Sequence, residues 1–416
     1  MGYDWTDYTL GEITKLVIDY RGKTPKKLGA DWSTTGYRAL SAKNIKTGRI
    51  VQPETIRYAD EKLYKKWMKD EVCRGDILIT SEAPFGQILF WDSDEKIVLS
   101  QRIFDVRIKD DFCSLFIYYY MTTPEFQGEL DARATGTTVV GLRQPELMKC
   151  VVRCPDRCTQ EKIASILMSI DAKIETNNQI NNNLQQQAQA VFRAWFIDNP
   201  AASTWSVGTF SDLIEKMISG DWGKDSLVGN NTEMVYCIRG ADIPDIKAGN
   251  KGKMPTRFIL QKNYDAKQLV DGDIVVEISG GSPTQSTGRA TAISDSLLSR
   301  YDRGMVCTNF CKALKPKDGY SMFVYHYWQY LYDMGVFFGF ENGTTGIKNL
   351  DITGIVESEI ILIPPFDLIQ KFNAICQGMM QKIYANGYES EQLSSLRDTL
   401  LPRLMSGEID VSDVEI

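Results

Sequence analysis

The residue types that do enzyme chemistry are present in this chain, but not at enzymatic spacings. Its one histidine, His326, confines any triad, proton relay or histidine-rich metal site to that position. It lies in an aromatic run, opposite Tyr119 of an earlier run, which points to packing. A P-loop needs G-x-x-x-x-G-K-[ST] so that backbone amides wrap phosphates. Gly249-Asn250-Lys251-Gly252-Lys253 has that composition without that spacing and reads as a loop, and no G-x-G-x-x-G occurs. An amino-methyltransferase needs Asn or Asp before Pro-Pro-[Tyr/Phe], whose side-chain oxygen accepts hydrogen bonds from the target amine. Here the run is Ile363-Pro364-Pro365-Phe366, and isoleucine cannot accept that bond. A metal-dependent nuclease needs [DE]-x-Lys. Glu161-Lys162 after Pro155-Asp156 lacks the intervening residue and reads as a helix start. Cys150, Cys154 and Cys158 are spaced at four with no second pair nearby, so zinc is not expected. The expectation is no catalytic, cofactor-binding or metal-ligating residue in this chain.

The remaining chemistry is charge. Between Arg21 and Arg74 stand fourteen Lys/Arg against six Asp/Glu, while 386–416 carries seven acidic and two basic residues. The formal net charge of −7 therefore conceals a basic first region. Arg21, Lys23, Lys26, Lys27, Lys43, Asn44, Lys46, Arg49 and Lys65 are the candidate DNA contacts there, interleaved with Trp32, Tyr37, Tyr64 and Trp67. Lysine and arginine position a duplex through its phosphates, and Arg and Asn also read base edges. The second half offers Trp222, Lys224, Asn230, Arg239, Lys253, Arg257, Gln285 and Arg289. A solvated lysine face is the plain alternative.

The elements that would position these residues follow from a repeat. Arg74-Gly75-Asp76-Ile77 matches Asp271-Gly272-Asp273-Ile274, and Phe116–Tyr120 matches Phe323–Tyr327. Gly136-Thr137-Thr138 matches Gly343-Thr344-Thr345, and Pro155 before Gln160 matches Pro365 before Gln370. Four matches in order make a duplicated unit. Each copy opens with a mixed, strand-rich stretch, in which Ile77–Thr80 and Ile103–Val106 are short β-prone runs. Each closes with a long helix. The first, capped by Thr159, carries a heptad seam at Ile163, Leu167, Ile170, Ile174, Asn177, Asn181, Leu184, Ala188, Val191 and Trp195. The second reads Phe372, Cys376, Met379, Ile383, Asn386, Ser390, Leu393, Arg397, Leu400 and Leu404. Both seams turn polar at mid-length. That suits an antiparallel pair, because the middle is the point both directions share. Arg397 on the seam predicts a slipped register or a splayed end, and Pro402 predicts a kink. At 1.5 Å per residue, a helix from Thr159 to Ile197 spans roughly 58 Å, against about 34 Å for one turn of DNA.

The chain has 416 residues, 43% hydrophobic and 24% charged, the composition of an ordinary folded protein of two to four domains. No stretch of about 18 apolar residues suggests a membrane span, and Met1-Gly2-Tyr3-Asp4-Trp5 does not open like a secretory signal. Nine scattered cysteines suit reduced thiols and a cytoplasmic setting.

The sequence resembles the specificity subunit of type I restriction–modification systems over essentially its whole length. The carriers are Leu10-Gly11-Glu12-Ile13, the two Gly-Asp-Ile strands, the two Gly-Thr-Thr turns and Pro155 to Gln160. To these are added Phe192-Arg193-Ala194-Trp195-Phe196 and Leu401-Pro402-Arg403-Leu404-Met405-Ser406-Gly407-Glu408-Ile409. The resemblance implies an α+β fold with a pseudo-twofold internal repeat. In it two globular target-recognition domains (1–155 and 200–364) are joined by two long helices (156–199 and 365–416), which form an antiparallel coiled coil. It implies that each domain reads one half of a split double-stranded DNA target and that the coil sets the gap. It further implies no catalysis in this chain. Methyltransferase subunits using S-adenosylmethionine would act beside it, with restriction subunits using ATP and Mg2+ as possible further partners. The alternatives are a coiled-coil scaffold that reads no DNA and a self-contained DNA methyltransferase.

Overall fold

The computed structural model describes residues 4–136, 139–280, 285–343 and 348–414. Thr137, Thr138, Thr344 and Thr345 of the repeated turns lie outside the described residues, as do Met1 to Tyr3. The chain divides into two units, Met1–Asp171 with Ser395–Ile416, and Ala172–Ser394.

In the first unit the ribbon Thr6–Thr9 pairs antiparallel with Val151–Cys154. A four-stranded sheet runs in the order Thr14–Asp19, Ile103–Ile108, Ile77–Thr80, Ile88–Phe90. A three-stranded sheet runs in the order Arg57–Ala59, Tyr37–Leu40, Val98–Leu99, the last two parallel. The second unit builds the same pieces in the same order. Ser206–Thr209 pairs with Ile360–Ile363. The four-stranded sheet is Ile214–Ser219, Cys311–Pro316, Ile274–Glu277, Ala290–Ala292. The three-stranded sheet is Thr256–Leu260, Asn231–Ile238, Met305–Cys307, its last pair again parallel. The sequence repeat is thus a repeat of topology.

The Gly-Asp-Ile motif is the hinge pin of each sheet. Gly75 and Gly272 sit at φ +92° and +87°, where a side chain would be strained. The following aspartates, Asp76 and Asp273, are buried. Asp76 accepts the Cys73 amide at 2.7 Å and the Arg107 guanidinium at 2.9 and 2.8 Å. Asp273 accepts the Val270 amide at 2.8 Å and is paired with Lys315. Each therefore closes its own turn and pins the neighbouring strand through a buried charge pair.

The central helix spans Arg157–Phe192 and continues as a π-helical turn over Arg193–Ile197. Its N-terminus is corrected by the structure. Asp156, not Thr159, caps it: the Asp156 carboxylate accepts the Thr159 amide at 3.1 Å and its hydroxyl at 2.6 Å. The C-terminal helix spans Phe366–Met405 and runs on through Pro402, which lies in its last turn. Arg397 does not slip the register either. Its guanidinium donates to Asp171 at 2.7 Å, and Leu404 beyond it is fully buried with Ile163 and Leu167.

Within each unit the two helices meet antiparallel. In the first, Asp171 meets Arg397. In the second, Asn177 donates to Ser390 Oγ at 3.2 Å, Asn386 donates to Asn181 Oδ1 at 2.9 Å, and Phe192 packs on Phe372. Polar mid-seam positions do face one another. Toward Ile197 the buried side chains are Phe192 and Phe196, with Val191 and Trp195 only half-buried. A 3.6-residue turn drifts off a strict heptad, and the seam moves over by one.

His326 is part of this packing. Its Nδ1 lies 3.0 Å from Gln189 Oε1, its ring packs on Phe372, and burial pushes its pKa down to about 3. Its counterpart Tyr119 donates to Asp171 at 2.7 Å. In each unit an aromatic-rich helix therefore reaches the central helix through one polar tip.

Candidate nucleic-acid interface

Two loops come together at the same place in both units. In the first, the segment after Thr14–Asp19 lies beside the one after Val98–Leu99. With Ser41, Lys43, Thr55 and Arg57 they bound a cleft of about 480 Å³. Lys23, Lys26, Lys43 and Arg57 line it, with Asp31 as its acid, and Trp32, Trp67, Ser100 and Gln101 complete the walls. Trp67 is held by its own indole, which donates to the Leu99 carbonyl at 2.9 Å. Lys23 donates to the Trp67 carbonyl at 2.6 Å and lies 3.7 Å over the Tyr20 ring. Burial, aided by nearby Lys69, lowers its pKa.

The structure sorts the candidate contacts. Asn44 is buried. It accepts from the Ser41 amide and hydroxyl and donates to Thr55 Oγ1 at 2.9 Å, so it ties a loop and faces no duplex. Arg21 is clamped by Asp19 at 2.8 Å twice and lies 4.0 Å over Phe104. Lys27 caps the Gly22 carbonyl at 2.7 Å, and Lys65 pairs with Glu61 at 2.6 Å. Lys46 and Arg49 face each other across the exposed hairpin Ile45–Ile50. Arg57, Ser100 and Gln101 escaped the sequence reading. Arg57 sits on a strand whose pairing brings it to the cleft, and only that pairing reveals it.

In the second unit, Asp221 and Trp222 lie beside Thr308–Phe310, through the bond from the Asp221 amide to the Cys307 carbonyl at 2.8 Å. Arg257 is buried, donates to the Trp222 carbonyl at 2.8 Å, pairs with Asp225 and stacks 4.0 Å from the Trp222 ring. It supports Trp222 and is not itself a contact. Arg239 is forked onto Asp242 at 2.9 and 3.0 Å. Arg289 is forked onto Glu277 at 2.8 and 2.6 Å. Lys224, Asn230, Lys253 and Gln285 are exposed. Phe310, which the sequence reading passed over, is 64% exposed on a rigid turn. Its carbonyl accepts the Ile278 amide, and the Cys311 amide bonds Thr308, both at 2.9 Å.

Among the described residues no three His, Cys, Asp or Glu side chains converge as a metal site would require. Cys150 and Cys154 are buried thiols and Cys158 is exposed. No described helix is long and apolar enough to cross a membrane.

Comparison with known proteins matches residues 3–186 to the type I restriction modification DNA specificity domain. The chain is thus similar to type I specificity subunits. It is 27% identical over 369 residues to the type I restriction enzyme MjaIX specificity subunit of Methanocaldococcus jannaschii, covering 82% of this chain and 79% of that one. Its fold is similar to the crystal structure of the type I restriction–modification S subunit from M. genitalium. That match has a TM-score of 0.57 and 17% identity, over 97% of this chain and 96% of the other. The scaffold beneath the two loop rims is shared, and the side chains they present are not.

Proposed function

We propose that this chain is the DNA-reading subunit of a type I restriction–modification complex, with each unit reading one half of a bipartite target. The single observation that carries this is the duplicated topology with unlike rims. One scaffold built twice and given different side chains suits two different half-sites. The paired helices set the gap between the half-sites. Their exposed apolar side chains, among them Met168, Ile180, Ile375, Tyr388 and Leu396, offer docking surfaces for modification subunits.

Catalysis belongs to the partners in this reading. Modification subunits methylate adenine from S-adenosylmethionine, and restriction subunits, where they join, use ATP and Mg2+. The complex works in the cytoplasm, on DNA. The run Ile363-Pro364-Pro365-Phe366 ends the strand Ile360–Ile363 and opens the C-terminal helix, which accounts for its prolines without methyl transfer.

The test is single-molecule mapping of N6-methyladenine in cells carrying the modification subunit, with and without this chain. A two-part motif with a fixed gap should vanish when the chain is removed. An unchanged methylome would refute the reading. Deleting one heptad from both helices should shorten or lengthen the gap and leave both half-sites intact. Altered half-sites would refute the spacer role.

A further inference from the structure

The basic cluster of the first unit separates into two populations. Half of its fourteen cations have internal partners, and Lys46, Arg49, Lys62 and Lys69 stand exposed outside the cleft. Arg21 is on Asp19, Arg38 on Glu95, Lys65 on Glu61, and Arg74 on Asp92 and Asp94. Lys27 and Lys66 donate to backbone carbonyls. Lys26, Lys43 and Arg57 are different. They are exposed, they have no carboxylate partner among the described residues, and with Lys23 they line one cleft. Like charges gathered around about 480 Å³ repel one another, and the nearby Asp31 offsets only one of them. Ser100 and Gln101 add a hydroxyl and an amide to the same space, while the Ser41 and Thr55 hydroxyls on its wall donate to Asn44 and the Gln52 carbonyl. Cations beside neutral donors suit the acceptor-only oxygens of a phosphodiester.

Among the described residues the corresponding rim of the second unit gathers no such group around one cleft, although Lys224 and Lys253 are exposed there. Arg239, Arg257 and Lys267 are paired with Asp242, Asp225 and Asp221, and what projects instead is Phe310 with the edge of Trp222.

We propose that the Lys26–Lys43–Arg57 cleft seats backbone phosphate of the duplex, while the Phe310 rim makes apolar contact with it. The first unit therefore supplies most of the salt-dependent affinity. This rests on the DNA-reading role and goes beyond it by dividing the labour between the units. Phosphate contacts carry no sequence information, whereas an exposed phenyl can pack on a thymine methyl.

The experiment is a fluorescence-anisotropy titration of the cognate duplex across a range of salt, with the full chain assembled with its modification subunits. Each phosphate neutralised contributes about 0.9 to the log–log slope of affinity against salt. The triple variant Lys26→Gln/Lys43→Gln/Arg57→Gln should lower that slope by about 2 to 3 and leave the recognised sequence the same. Phe310→Ala should leave the slope unchanged and relax one position of one half-site. Lys62→Gln with Lys262→Gln, exposed lysines that do not line the cleft, should change the slope by less than about 0.5. If the triple variant is unstable, the single variants should each remove about 0.9. A wild-type slope in the cleft variants, or an equal loss in the Lys62/Lys262 control, overturns the assignment. Absence of salt-dependent binding by the unaltered complex would instead overturn the DNA-reading role itself.

Discussion

The two units solve the same structural problem with different side chains. Where the first pins its four-stranded sheet with Asp76 and a forked Arg107, the second uses Asp273 and Lys315. Where the first docks on the central helix through Tyr119 and Asp171, the second uses His326 and Gln189. Position and role are kept while the chemistry drifts. At the rims the reverse holds: the loops keep their place, but a cation-lined cleft in the first unit gives way to a projecting Phe310 in the second. The framework is what the duplication preserves, and the rims are where it diverges.

The first unit also carries a burden that its sister lacks. Asp105 is fully buried between Ile18 and Leu78, and among the described residues no donor reaches either carboxylate oxygen. Burial, with the Asp76 carboxylate nearby, pushes its pKa well above the usual carboxylate range. The equivalent strand position in the second unit is Ala313.

Several substitutions separate these roles. The largest effect is expected at the aromatic end of the helix pair. Phe192, fully buried among Phe196, Phe323 and Phe372, should cost about 3–5 kcal/mol on Phe192→Ala. Leu404→Ala in the first unit should cost less, about 2–4 kcal/mol. Urea unfolding followed by tryptophan fluorescence checks both, and equal losses would break the contrast. Next, Asp76→Ala strands a mostly buried guanidinium and should cost about 3 kcal/mol. Asp273→Ala should cost somewhat less, because a single ammonium replaces a fork. Hydrogen exchange in each sheet reads the two separately.

At mid-seam, Asn181 donates to the carbonyls of Ile383 and Ala248 at 3.0 and 3.1 Å and accepts from Asn386. Asn181→Ala should cost about 1–3 kcal/mol by leaving those groups unpaired. A stabilised variant would show that the polar centre is only a concession to register.

The smallest effect is a gain. A carboxyl whose folded pKa is raised contributes its stability fully below its unfolded value, and that contribution is lost as pH rises through the folded value. At neutral pH Asp105 therefore weakens the first unit. Asp105→Asn should stabilise it by about 1 kcal/mol, with the advantage growing from acid to neutral pH. Urea midpoints across that range check the sign, and an advantage that shrinks with pH would contradict it.

Much of the framework was legible in the residues themselves. The paired Gly-Asp-Ile runs announced the repeat, and the polar interruptions at Asn177/Asn181 and Asn386/Ser390 announced an antiparallel pair. Both are local patterns with a fixed geometric meaning. The rims were far less legible. A lysine on a solvated face and a lysine in a cleft look alike in sequence, and only pairing separates Lys65 on Glu61 from Lys43, which has no carboxylate partner among the described residues. Asn44 and Arg257 have the composition of contacts but are consumed by their own loops. Arg57 and Phe310 reach the rims through strand pairing and a turn, and neither leaves a trace in spacing. Thr159 misled for a simpler reason: Asp156, three residues earlier, is the better cap.

The most direct test of the account is to exchange residues 1–155 for the corresponding domain of a type I specificity subunit and map adenine methylation. Independent readers predict a motif in which one half-site changes while the other half and the gap stay as they were. A change in both half-sites would contradict the claim that two separate domains read the target.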